Sequence, residues 1–261
     1  MIEVCSGMSS SLTVPVLELR DVCLRIPVFT PETRSLKKAL IRSVTGGSLR
    51  RSRSGAEIEA LRSISCTIFH GERVALIGHN GAGKSTFLRM VSGIYQPSSG
   101  TFLAHCPVFP MIQKSFITSP DLSGVHAAKG HYLLMHGSLN GFEDFFQDVL
   151  EFSGLGDFIH LPMKGYSEGM SARLLFSMLT ASQHDCLALD EGFGAGDARF
   201  FDRAQQRMRE FISAAGTLLL ASHSESLLRQ FCNRGLVFDQ GRIACDAPLE
   251  EALAFYHDYC S

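Results

Sequence analysis

An α/β fold is what this sequence predicts, and three observations predict it. Val74-Ala75-Leu76-Ile77 is an apolar, strand-like run; it leads into Gly78-His79-Asn80-Gly81-Ala82-Gly83-Lys84-Ser85-Thr86 and then into the helix-like Phe87-Leu88-Arg89-Met90-Val91. Cys186-Leu187-Ala188-Leu189 reads as a short buried strand that ends in two carboxylates, Asp190 and Glu191. Leu218-Leu219-Leu220 reads as another and ends at Ala221-Ser222-His223-Ser224. Short apolar runs punctuated by helical patterns belong to a sheet covered by helices. The glycine-rich segment fits G-x-x-x-x-G-K-[ST] at every fixed position and has the strand–loop–helix context that makes the motif a phosphate-binding loop.

The elements follow in order. Pro15-Val16-Leu17-Glu18-Leu19-Arg20 opens a half-buried strand over 15–30 by its apolar/polar alternation. Residues 31–54 form a basic insertion, with Arg34, Lys37, Lys38, Arg42, Arg50, Arg51 and Arg53 against the single acid Glu32. Leu36, Ala39, Leu40 and Val44 give it an amphipathic helix that Gly46-Gly47 ends. It is either a solvated surface insertion or a basic face held near anionic headgroups or an anionic lipid-linked cargo. Residues 61–78 hold two more strands around the turn Phe69-His70-Gly71-Glu72. In the loop that follows, Gly78, Gly81 and Gly83 allow positive φ and close approach of a phosphate. Backbone N–H groups and the helix N-terminus favour the anion, Lys84 reaches the β- and γ-phosphates, and the Ser85 hydroxyl suits Mg²⁺. Residues 114 to about 180 read as helical, with Phe145, Phe146, Val149, Leu150 and Phe152 at helical spacing. After His223, Arg234–Phe238 reads as a strand, Asp239-Gln240-Gly241 as a turn and Leu249–Tyr256 as a closing helix.

Asp190 at a strand end is placed to hold Mg²⁺, and Glu191 beside it to act as general base on water. Between the phosphate loop and this pair stands Tyr166-Ser167-Glu168-Gly169-Met170, ahead of the helix-like Ala172-Arg173-Leu174-Leu175-Phe176. Here the sequence resembles the ATP-binding-cassette (ABC) ATPases, which carry Leu-Ser-Gly-Gly-Gln at this place. Ser167 and Gly169 match; Tyr166, Glu168 and Met170 depart. The Tyr-Ser-x-Gly-Met variant, with the basic insertion, resembles the branch that drives export of O-antigen, capsule or teichoic acid.

The resemblance covers roughly residues 15–245 and implies several things. The fold is a P-loop NTPase core with a mixed β-sheet, an antiparallel β subdomain and an inserted α-helical subdomain. The core is expected over 15–112 and 181–261 and the helical subdomain with the signature over 113–180. Ser167 and Gly169 would touch the γ-phosphate of ATP held by an opposite subunit, His223 would sense that phosphate, and Gly194-Ala195-Gly196-Asp197 would be an inter-subunit loop, with Asp197 matching the family and Gly196 replacing the usual Leu. Gln113 is either the glutamine that contacts metal and water or a surface amide. The adenine-stacking position falls to Phe29, which reads equally as core, or to the non-aromatic Ile26. The implied cofactors are ATP and Mg²⁺. The implied partners are a second copy of the chain, a transmembrane permease and, through it, a lipid-linked polysaccharide, at the cytoplasmic face of the inner membrane. The chain, read to Ser261, leaves no room for a C-terminal carbohydrate-binding domain.

Composition agrees. Apolar content of 45% and charged content of 19% are ordinary for a globular protein. A net charge of −2 argues against a general nucleic-acid binder. The eight cysteines form no C-x-x-C pair and read as reduced core residues. No 18-residue apolar stretch and no secretory signal pattern occur, so membrane association is expected through a partner. A soluble ABC ATPase acting on ribosomes or DNA would carry tandem cassettes or heptad arms, and neither is present. A different transported substrate is the other alternative. A kinase does not require a base carboxylate beside the metal-binding Asp.

Overall fold

The structure, a computed structural model, describes residues 14–28, 48–52, 55–111, 119–190 and 198–260. The chain divides into two compact units: Met1–Ile112 with Asp185–Glu191 and Gly216–Ser261, and Gln113–His184 with Gly192–Ala215.

The first unit contains two sheets. One is antiparallel, in the order β2-β3-β1-β5, from β1 (Pro15–Val28), β2 (Ser48–Ser52), β3 (Gly55–Phe69) and β5 (Ser99–Ala104). Leu17 and Leu19 turn inward, Glu18 between them is half-buried and Arg20 faces solvent, as the expected alternation requires, although Val16 is buried as well. Asp21 and Ser63 interrupt it, each at φ 50°, where the β1–β3 register shifts. The Ser63 hydroxyl donates to Asp21 Oδ1 at 2.9 Å, and the Asp21 N–H donates to Ser65 Oγ at 2.8 Å. These bonds stabilise a bulge that returns Val22 and Leu24 to the core. β3 starts six residues before the expected 61, because Ala56, Glu57, Ile58 and Glu59 pair with β1 on one side and β2 on the other. The expected basic helix and Phe29 lie outside the described residues. Arg50 and Arg51, from the same insertion, belong to strand β2 at the edge of this sheet.

The second sheet is mixed. It runs β10-β9-β4-β8-β7-β6, from β4 (Arg73–Ile77), β6 (Val108–Met111), β7 (Cys186–Asp190), β8 (Thr217–Ala221), β9 (Arg234–Asp239) and β10 (Arg242–Pro248). Neighbours are parallel except β9 and β10. β4, β7 and β8 are buried almost throughout, which explains their continuous apolar runs. Helix α1 (Lys84–Val91) packs Phe87 against Phe238 of β9, with ring centroids 5.2 Å apart. Arg234 ties the sheet edges together by donating to Glu72 at 2.8 Å, to both Asp246 oxygens at 2.8 and 2.7 Å and to the Thr67 carbonyl at 2.9 Å. Burial pushes the Cys66, Cys186 and Cys232 thiols up to about 12, which keeps them protonated and unreactive, and all three are free.

The second unit is helical: α2 (Gly124–His136), α3 (Phe142–Ser153), α4 (Glu168–Thr180) and α5 (Ala198–Ala214). Ser123 and Ser167 cap α2 and α4, accepting from the N–H groups of His126 and Met170. Ala127, Ala128, Tyr132, Phe145, Val149, Ile159, Leu174 and Met178 form its core. Of the expected aromatic stripe, Phe145 and Val149 are core, whereas Phe152 carries the Arg207 guanidinium 4.3 Å from its ring centroid. Arg207 also donates to both Asp148 oxygens and to Thr180 Oγ1, which fixes α5 on α3 and α4. Among the described residues, no helix is long and apolar enough to cross a membrane.

Candidate nucleotide-binding site

The carboxyl ends of three adjacent parallel strands meet in one row, with Leu76 of β4 opposite Ala221 of β8 and Ala221 opposite Asp190 of β7. The chain leaves β4 into the glycine-rich loop and leaves β8 at Ser222-His223. This topology alone brings the loop, the carboxylate and the histidine together, at the place where open α/β sheets bind ligands.

Gly78, Gly81 and Gly83 have φ of 145°, 83° and 115°, as the motif requires. A Cβ on Gly78 would stand 2.4 Å from the Phe238 carbonyl oxygen, so no side chain is tolerated there. Helix α1 begins immediately after Gly83 and has no acid in its first turn, so the positive end of its dipole is not offset by its own side chains. Lys84 is only 8% exposed and spans the loop, its ammonium donating to the Gly78 carbonyl at 2.5 Å and the His79 carbonyl at 3.0 Å. His223 Nε2 lies 3.0 Å from Asn80 Oδ1, linking the β8 end to the loop.

These groups surround a cavity of about 470 Å³, within the range of small-molecule sites. Asn80, Gly81, Gly83, Lys84, Ser85, Thr86, Asp190, Ser222 and His223 line its polar part, and Ile26, Ile58 and Ala60 line an apolar part. Ile26 and Ile58 are direct cross-strand partners in β1 and β3. Two of these lining residues, Ile58 and Ala60, were not expected from the sequence; their signal is the alternation Glu57-Ile58-Glu59-Ala60, which marks one face of a strand. Ile26 was a candidate and lines the cavity. His79 points elsewhere, its Nε2 being 3.2 Å from Asp239 Oδ1, while Ala82 is buried and its carbonyl accepts from the Gly241 N–H at 2.8 Å.

Ser85 and Asp190 offer a hydroxyl and a carboxylate to one cavity, a hard oxygen pair that fits Mg²⁺ shared with phosphate and water. Among the described residues, no group of three or more His, Cys, Asp or Glu is placed to hold a metal. A divalent ion here would therefore need further oxygens from the nucleotide. Glu191, Gln113 and Asp197 lie outside the described residues. Ser167 and Gly169 belong to the second unit, at the start of α4.

A phosphate loop, a strand-end carboxylate and a strand-end histidine around one cavity define a P-loop nucleoside-triphosphate-binding protein. The ABC transporter family model matches residues 61–194. The chain is 37% identical over 228 residues to the O-antigen export system ATP-binding protein RfbE of Yersinia enterocolitica, covering 87% of this chain and 95% of that protein. It is 31% identical over 242 residues to an O-antigen export system ATP-binding protein RfbB of Klebsiella pneumoniae, covering 93% and 97%. It is 32% identical over 200 residues to the teichoic acids export ATP-binding protein TagH of Staphylococcus epidermidis, covering 77% and 75%. The fold is that of a solved ATP-binding subunit of an ABC transporter (TM-score 0.64, 18% identity, 93% of each chain). It is also that of a dimeric ATP-binding cassette with ADP and Pi (TM-score 0.61, 16% identity, 89% and 98%). The chain belongs to the ABC transporter family, as one of its ATP-hydrolysing, ATP-binding proteins.

Proposed function

We propose that the chain is the ATPase subunit of a bacterial ABC exporter that moves a lipid-linked polysaccharide across the inner membrane. What carries this reading is the near full-length similarity to O-antigen export ATP-binding proteins. The Tyr166-Ser167-x-Gly169-Met170 variant of the signature supports it. Two copies act together on the cytoplasmic face, held to the membrane by a permease.

Each ATP sits between one copy's phosphate loop and the partner subunit's Ser167 and Gly169. The backbone N–H groups of the loop and Lys84 hold the β- and γ-phosphates, while the apolar wall of Ile26, Ile58 and Ala60 faces the base. Mg²⁺ on Ser85, Asp190 and Gln113 would offset the phosphate charge. Glu191 orients a water and takes its proton as the water oxygen bonds to the γ-phosphorus; the bond to the β–γ bridging oxygen breaks, giving ADP and phosphate. His223 donates to the γ-phosphate oxygens. Preorganised donors of this kind are each worth about 10²–10³ in rate. Asp197 lies at the boundary between the copies. ATP binding closes the pair, hydrolysis reopens it, and the permease turns that cycle into transport.

A chromosomal Lys84→Ala replacement tests this. Surface polysaccharide should disappear and lipid-linked polymer should accumulate inside the cell. Normal surface polymer with an inactive ATPase would overturn the assignment.

A further inference from the structure

Ser167 and Gly169 sit at the entry of α4, and that entry is anchored from behind. Tyr166 is half-buried, and its hydroxyl donates to the Phe158 carbonyl at 2.8 Å. The same oxygen accepts from the N–H of Gly124, the first residue of α2. The backbone just ahead of it is tied down as well. The Met163 N–H donates to the Leu122 carbonyl at 2.9 Å, the Lys164 N–H to the Pro120 carbonyl at 2.8 Å and the Tyr166 N–H to the Met163 carbonyl at 3.0 Å. Gly124 is fitted to the phenol. Its φ is not positive, yet a Cβ there would stand 2.7 Å from the Tyr166 oxygen and 3.0 Å from the side chains of Ile159 and Leu174.

Ser167 is the single residue between this anchor and the helix. It is exposed and its backbone is extended, at φ −68° and ψ 162°. Its hydroxyl accepts from the Met170 N–H at 3.2 Å and its carbonyl from the Ser171 N–H at 3.0 Å. The direction in which it presents its hydroxyl is therefore set on one side by α4 and on the other by Tyr166. A donor aimed at a reacting phosphate must be held in place beforehand, because ordering it during the reaction raises the barrier that it is there to lower. A Leu at 166 would fill space but bond neither Gly124 nor Phe158 through its side chain.

We propose that Tyr166 is a positioning residue for ATP hydrolysis, its hydroxyl holding Ser167 and Gly169 in the orientation in which they meet ATP on the opposite subunit. This rests on the reading of ATP as shared between two copies.

The test compares Tyr166→Phe, which removes only the hydroxyl, with Ile159→Val, which loosens the same core but leaves the bonds of the phenol in place. Both are made in the full chain, alone and in a Glu191→Gln background. ADP binding reads one copy's phosphate loop alone and should match wild type in both variants. For Tyr166→Phe, kcat should fall about tenfold, and in the Glu191→Gln background the ATP concentration that drives pairing on a sizing column should rise by about the same factor, as expected when a contact to the reacting phosphate is displaced. Ile159→Val should lower Tm while kcat and pairing stay as in the parent chain. If Ile159→Val moves kcat and pairing as Tyr166→Phe does, the phenol is merely part of the packing and the inference is overturned. Unchanged kcat or unchanged pairing in Tyr166→Phe would also overturn it, as would a loss of ADP affinity, which would put the effect at the loop. A Glu191→Gln chain that stays single in ATP would instead overturn the shared-site reading itself.

Discussion

Replacing Gly169 by Ala should separate folding from hydrolysis. Gly169 lies in the first turn of α4, whose Ser167 cap accepts from the Met170 N–H at 3.2 Å. It is not among the glycines with positive φ. Among the described residues an added Cβ would meet only Ser167 Oγ, at 3.9 Å, which is ordinary van der Waals contact. Nothing among the described residues therefore demands glycine. Ala is intrinsically better than Gly in a helix by up to about 1 kcal/mol, so the variant should be as stable as wild type or slightly more so. For a chain of this size that gain raises Tm by roughly 2–4 °C. If Gly169 instead serves close approach of the opposite subunit's ATP, the new methyl group occupies that approach. ATP hydrolysis should then fall at least about tenfold, as expected when one preorganised contact to the γ-phosphate is displaced. Thermal unfolding and steady-state hydrolysis on the same preparation decide it. Unchanged hydrolysis with unchanged stability would refute the shared-site role of this glycine. A lowered Tm would refute the claim that the fold leaves the position free. Gly78→Ala is the contrast: its Cβ would collide with a backbone oxygen at 2.4 Å and φ 145°, so stability and hydrolysis should fall together.

Other outcomes follow from the same geometry. Glu191→Gln should bind ATP without splitting it and run as a dimer on a sizing column with ATP; a monomer under those conditions counts against a site shared between two copies. His131 gives a pH signature in the helical unit, where burial holds its imidazole below the ordinary value of 6.5, with the neighbouring His136 adding to the effect. The unfolded chain then takes up the proton more readily than the folded one. Stability should be level above about pH 6.5 and fall as pH drops from there toward the lowered folded value. His131→Gln should flatten that acid limb in urea melts at pH 7.5 and 5.5, and identical limbs would dismiss His131 as its source.

Asp190 and His223 were legible in the sequence because each terminates an apolar run, and a buried parallel strand must deliver the residue after its end to the carboxyl edge of the sheet. Of the second unit's helices, those between 114 and about 180 were legible from apolar spacing, whereas the caps at Ser123 and Ser167 and the helix α5 come from the structure. The bulges at Asp21 and Ser63 were not legible. Two residues with side chains adopt φ 50° there because cross-strand hydrogen bonds 42 and 44 residues apart hold them, and no local pattern encodes that. The early start of β3 escaped for a related reason. Its stretch from Gly55 pairs on both sides, and pairing across strands leaves only a weak trace in a segment with two glutamates.

The same distinction explains which parts of the site a sequence declares. Phosphate is bound by backbone N–H groups in an unusual conformation, so its recognition must be written as a local run of glycines with one lysine, and a motif results. The apolar wall asks only for aliphatic bulk where Ile26 of β1 and Ile58 of β3 happen to pair, and many sequences supply that. The anchor behind Ser167 relies on a single hydroxyl, that of Tyr166, which meets Gly124 and Phe158 from other parts of the helical unit. Features of this kind are set by tertiary register, which leaves them free to vary while the motif stays fixed. Differences between proteins that share the phosphate loop should therefore concentrate in such supports, and substitutions at Ile58 should change affinity for the nucleotide more than they change the chemistry performed on it.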